Sequence, residues 1–119
     1  MGYDITMNNP STNTRIHIDP LPKSSIFKRV GCNESEFWIT IGYIYDEFFG
    51  EVIENYDKMY FIHQKTGKEL LPIIDNAIEK LGVALTPYEV TKGNAGHALL
   101  TLKYFCESFP EGVFILECC

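Results

Sequence analysis

The stretch from Thr91 to Pro110 constrains this chain most. Ala95, Ala98, Leu99, Leu102, Phe105, Cys106 and Phe109 recur with a period of about 3.6 residues, which predicts one apolar helical face against a core. Pro110 ends that helix, because it cannot donate the next backbone hydrogen bond. The helix is entered through Thr91-Lys92-Gly93-Asn94-Ala95-Gly96-His97. Free N–H groups at a helix start attract anions, and Lys92 and His97 flank this one. A purely structural account competes: Asn94 as N-cap, with Gly93 and Gly96 permitting a tight turn and a close helix contact.

A second helix is announced by Thr66-Gly67-Lys68-Glu69, a capping box in which the Thr66 hydroxyl and Glu69 carboxylate each serve the other's backbone N–H. It should bury Leu70, Ile74, Ala77, Ile78 and Leu81 and stop at Gly82. Pro72 lies beyond the first turn, so either a kink there or a true start nearer Leu71 is expected.

Tyr3, Ile5 and Met7 alternate with polar neighbours, as do Ile16 and Ile18. Strands over Met1–Met7 and Arg15–Asp19, joined across Asn8-Asn9-Pro10-Ser11, would form a hairpin with a loop longer than the tightest types. Val113 to Leu116 is apolar enough to be central in the sheet. Pro20 and Pro22 keep Asp19–Lys23 extended, Ser25–Val30 fits a short strand or one helical turn, and Thr86-Pro87 starts an irregular approach to Thr91. From Glu36 two periods compete. Phe37, Ile39, Ile41, Tyr43 and Tyr45 alternate like a strand, whereas Phe37, Ile41, Ile44, Phe48, Val52 and Tyr56 step like a helix. The longer helical stripe predicts a helix from Ser35 to Phe49 and an irregular Gly50–Lys58. Its surplus aromatics Trp38, Tyr43, Tyr45 and Phe49 cannot all face one core, so some should line a groove or an interface. The expected class is α+β, with a small, mainly antiparallel sheet covered by about three helices in a single domain over residues 1–119.

Composition enters through what it excludes. At 45% hydrophobic and 22% charged residues the chain is globular, and no apolar run is long enough to span a membrane, so a cytoplasmic address is expected. Met1-Gly2-x-x-x-Thr6 fits a myristoylation pattern and Cys118-Cys119 could accept lipids, but neither end is polybasic and a strand better explains Ile5 and Met7. Cys32, Cys106, Cys118 and Cys119 are expected as reduced thiols, and no Cys or His pair has metal-ligand spacing, so neither metal nor cofactor is expected. The net charge of −6 is concentrated between Glu36 and Tyr60, where Glu36, Asp46, Glu47, Glu51, Glu54 and Asp57 face Lys58 alone. Such a surface repels nucleic acid and anionic membranes and attracts basic proteins, unless it is simply a solvated helix face.

Lys92–His97 matches neither a phosphate-binding Walker loop nor a complete dinucleotide fingerprint. With no nucleophile, base and acid placed together, binding is expected rather than catalysis, and there is no catalytic residue to name. The candidate ligand site comprises Lys92, Gly93, Asn94, Gly96 and His97, walled by Arg15, His17, Trp38 and Tyr43 through charge and stacking.

The Tyr-Asp opening, the run from Thr66 to Leu81, Gly-Asn-Ala-Gly-x-Ala at Gly93–Ala98 and Phe-Pro-x-Gly-x-Phe at Phe109–Phe114 together resemble small uncharacterised proteins of bacteriophages and bacteria. The likeness spans most of residues 1–117 and departs in the longer segment from Gly31 to His63 and at the cysteine-rich end. It implies a phage gene expressed in a host cytoplasm and no particular activity. The expected function is a non-enzymatic binder that counters host defence by sequestering a small anionic, nucleotide-like ligand. The alternatives are an acidic inhibitor that mimics nucleic acid against a basic host protein, and a homo-oligomeric structural protein.

Overall fold

The computed structural model describes residues 2–16, 39–86 and 89–118. The expectations for His17 to Lys23, Ser25–Val30, the Ser35–Trp38 start of a helix and Pro87 lie outside those residues. The fold is α+β: a four-stranded antiparallel sheet with three α-helices among the described residues.

Strand β1 (Gly2–Asn9) is bonded to all the others: β2 (Thr14–Arg15), β3 (Ile39–Gly42) and β4 (Val113–Cys118). Asp4 and Ile5 pair with both β3 and β4, and Asn8 pairs with both β2 and β4. A strand has only two edges, so β4 takes one edge and β2 and β3 share the other. The centre of the sheet is therefore β1, whereas Val113–Leu116 had been expected to be central. The far edge of β4 is closed by the loop before the second helix. There Gln64 N–H donates to Phe114 O (2.8 Å), Phe114 N–H to Lys65 O (2.9 Å) and Leu116 N–H to the His63 Nδ1 (3.1 Å). Covering an edge in this way denies it to another chain.

A hairpin forms, but Asn8 and Asn9 belong to β1 and the turn falls at residues 10–13, with Asn13 at φ 53° and its N–H on Asn9 O (2.7 Å); the expected strand beyond Ile16 lies outside the described residues. Asparagine tolerates this left-handed turn better than most residues. Tyr3, Ile5 and Met7 are fully buried, and their cross-strand partners Ile41, Leu116 and Phe114 share their face.

The Ser35–Phe49 helix is corrected by the fold. Residues 39–42 form β3, residues Tyr43–Tyr45 make one 3-10 turn, and helix α1 runs only from Asp46 to Val52, into the segment expected to be irregular. The alternation of Ile39 and Ile41 wins because β1 offers an open edge, and Ile41 opposite Tyr3 is almost fully buried. Phe49 becomes a core residue with no exposure, whereas Ile44, placed on the expected helical stripe, is 60% exposed.

Helix α2 (Gly67–Leu81) has the expected capping box and the expected stop at Gly82, where φ is 76°. It starts at Gly67, not near Leu71, because its first amides find tertiary acceptors: Gly67 N–H on Gly112 O (3.0 Å) and Lys68 N–H on Pro110 O (2.8 Å). It continues through Pro72 as one element. Leu70, Ile74, Ala77 and Leu81 are buried and Ile78 is half-buried. Hydrogen bonds from Thr66 hold the Glu69 carboxyl below its ordinary pKa. Thr66→Ala should cost about 1 kcal/mol, read as a lower urea midpoint with unchanged slope.

Helix α3 (Lys92–Ser108) packs Ala95, Ala98, Leu99, Leu102, Phe105 and Cys106 into the same core as α2 and the sheet. Burial pushes the Cys106 thiol up to about 12, which makes it an inert core group.

Candidate functional site

The start of α3 is built around Asn94, but not as its N-cap. Thr91 takes that position with extended backbone, its hydroxyl accepting from Asn94 N–H at 3.0 Å and its carbonyl from Ala95 N–H at 3.1 Å. Threonine can cap from outside the helix while Asn94 stays inside it. The Asn94 carboxamide is 4% exposed and turns back on the approach segment. Its Oδ1 accepts from Thr86 N–H (2.8 Å), and its Nδ2 donates to Thr86 O (2.8 Å) and Glu89 O (2.6 Å). The side chain thus pins Thr86 and Glu89 to the helix and satisfies its own buried polar atoms.

The two glycines are used for closeness. A methyl built on Gly93 would fall on the Ala84 carbonyl oxygen, and one on Gly96 on the Gly82 carbonyl oxygen. Only a residue without a Cβ lets the helix touch this chain segment. His97 Nδ1 lies 3.3 Å from Val83 O. Lys92 points outward, its Nζ 3.4 Å from Glu51 Oε2, with both side chains about half exposed. The segment expected to present amides to a guest instead directs the Asn94 side chain and both glycines at its own fold.

The expected walls do not gather there either. Arg15 lies against Ser108–Gly112 at the opposite end of α3, a helical rise of roughly 25 Å away. Its Nη2 donates to Glu117 Oε1 (3.0 Å), which also accepts from the Thr6 hydroxyl (3.1 Å). Tyr43 sits half-buried on the 3-10 turn, edge-on to Tyr3 with ring centroids 4.7 Å apart. His17 and Trp38 lie outside the described residues. Lys92, Gly93, Asn94, Gly96 and His97 therefore cluster, Arg15 stands apart from them, and Tyr43 packs against Tyr3. Among the described residues no group of three or more His, Cys, Asp or Glu is placed to hold a metal ion. No described helix is long and apolar enough to cross a membrane.

Two features escaped the sequence. Asp46, read as one more surface acid, accepts from Tyr3 Oη at 2.7 Å and from Tyr56 Oη, tying β1 to α1 and to the chain after it. The partners are 43 and 10 residues away, so no local window contains the signal. The other feature is a hollow of about 480 Å³ between the β1–β2 turn and the α3–β4 turn.

The other acids between Asp46 and Tyr60 are exposed. Within α1, Glu47 and Glu51 lie four residues apart on one exposed face, opposite the buried Phe49, while Ile44 on the preceding 3-10 turn and Glu54 beyond the extended Ile53 are exposed as well. Asp57 and Lys58 follow, both exposed. Compared with protein-family models, with curated proteins and with solved structures, the chain matches none.

Proposed function

We propose that this protein is a non-enzymatic binder that docks a basic protein surface on the exposed face running from Ile44 to Glu54. The single observation that carries this is the exposed stripe, in which an isoleucine 60% exposed on the 3-10 turn precedes Glu47 and Glu51 on one face of α1 and Glu54 just beyond its end. An exposed isoleucine beside two carboxylates offers what an interface uses, an apolar contact with charges around it for orientation and fast encounter. Lys92 is the one cation paired with this stripe among the described residues, through an exposed contact at 3.4 Å. Pairs of that kind are worth about 1 kcal/mol or less, so a partner's lysine or arginine can displace it. The acidity of the stripe favours a partner among basic, nucleic-acid-handling proteins, and in a phage setting the action would be anti-defence. The anionic ligand expected at Lys92–His97 is not carried forward, because Asn94 and the glycines there are taken up by packing.

Competition with duplex DNA for basic DNA-binding domains, followed by fluorescence anisotropy, tests the docking reading. The protein should displace the DNA at low salt and lose roughly tenfold or more of that effect when salt is raised severalfold. The Glu47→Lys, Glu51→Lys double variant should abolish displacement while its melting temperature stays near that of the parent. Displacement that survives charge reversal would end the proposal.

Self-association is a second reading, favoured by Val83, Leu85 and Val90, which are 41%, 37% and 47% exposed on the segment leading into α3. Sedimentation of Leu85→Lys against the parent decides it: equal monomeric mass for both removes it.

A further inference from the structure

We propose that His63 is an acid-released latch on the far edge of β4. Gln64 and Lys65 pair with Phe114 through backbone atoms, but further along β4 the Leu116 N–H meets a side chain instead, donating to His63 Nδ1 at 3.1 Å. The change from backbone to side chain has a local cause. His63 follows the 3-10 turn Tyr60–Ile62 and gives its own N–H to Tyr60 O (3.1 Å), and Gln64 after it turns at φ 63°. The backbone therefore leaves β4 at this point, and the imidazole supplies the acceptor that a neighbouring strand would have given.

The bond fixes the protons of the ring. A backbone N–H can only donate, so Nδ1 presents its lone pair and the proton of the neutral ring sits on Nε2. A second proton can enter only at Nδ1, which turns the acceptor into a donor and sets N–H against N–H. Imidazole is the side chain that gains its charge between about pH 8 and pH 5, and His63 is exposed, so solvent protons reach it.

The groups around it do not offset the loss. The 3-10 turn packs on β4, whose titratable residues are Glu117 and Cys118. Glu117 accepts from Arg15 and from the Thr6 hydroxyl. On the segment of His63 itself the titratable neighbours are Tyr60 and Lys65. Among the described residues the imidazole makes no ion pair, so none is gained when the bond is lost. Release is also local. Phe114 keeps its bonds to Gln64 and Lys65, whereas at Leu116 the far edge opens to a further strand. The latch shares no residue with the Ile44–Glu54 face, so the two readings stand or fall separately.

The test is a titration of the full chain from about pH 8 to pH 5, followed by NMR of the amide protons and the imidazole nitrogens. At the upper end His63 should carry its proton on Nε2. On acidification the Leu116 amide proton should move upfield in step with the His63 ring, and its protection against exchange should fall about fivefold, the worth of one hydrogen bond. The Phe114 amide should hold its place. His63→Gln offers an acceptor oxygen that does not titrate, so its Leu116 amide should stay fixed across the range. The proposal fails if the Leu116 amide of the parent does not move, if it moves equally in His63→Gln, or if the neutral ring carries its proton on Nδ1.

Discussion

Gly96→Ala should lower the melting temperature by roughly 10 °C or more. The methyl would land on the Gly82 carbonyl oxygen, and that atom belongs to the backbone at the end of α2, which cannot rotate out of the way as a side chain would. Relief requires α3 to move off the 82–84 segment, which disturbs the neighbouring close contact at Gly93 and the three hydrogen bonds of the Asn94 side chain. Overpacking of this kind costs about 3 kcal/mol or more, and each kcal/mol is worth several degrees in a domain of this size. Gly50→Ala is the matched control. It lies inside α1, its nearest neighbour to a new methyl is a Tyr56 side-chain carbon at 3.7 Å, and alanine is the better helix former. That variant should be neutral or stabilised by up to about 1 kcal/mol. Equal melting temperatures for the two alanine variants would show that α3 does not rest on this backbone contact.

Asp46→Ala should cost about 2–4 kcal/mol, the second large effect. It strips the acceptor from two phenols at once, and Tyr3 is wholly buried, so its hydroxyl would keep the full desolvation cost with nothing in return. Asp46→Asn keeps one acceptor and should cost less. Denaturant midpoints check both, and an unchanged midpoint for Asp46→Ala would remove the network from the account of stability. The same network sets an alkaline limit. Burial first, and then the hydrogen bond and charge of Asp46, push the pKa of Tyr3 and of Tyr56 above the ordinary tyrosine value. Between the unfolded pKa, about 10, and the raised folded values, the native state holds more protons than the unfolded chain. The stability from these phenols is therefore fully present below about pH 10 and is lost as pH rises beyond it. Midpoints measured from neutral pH upward should bend down there, less steeply in Asp46→Ala, because only the burial part of the shift then remains.

The parts of this protein legible in the sequence were those set by neighbours a few residues apart. The Thr66–Glu69 capping box, the stop at Gly82, the apolar rhythm from Ala95 to Cys106 and the alternation of Tyr3, Ile5 and Met7 all express spacings of one to four residues, and the fold reproduces each of them. Those features sufficed for the α+β class, because two amphipathic helices and a hairpin leave few ways to cover one apolar face. Residues 39–42 carried both a strand period and a helix period. What settled them was the open edge of β1, nearly forty residues earlier. How Asn94 and the two glycines of the candidate site are used was hidden for the same physical reason. Asn94, Gly93 and Gly96 have the chemistry of an anion loop, and only the arrival of Gly82, Ala84, Thr86 and Glu89 against them turns that chemistry inward. Local spacing decides which elements can form; which edge is open, which amide is already bonded and where a hollow remains depend on pieces that meet only after the chain has closed on itself.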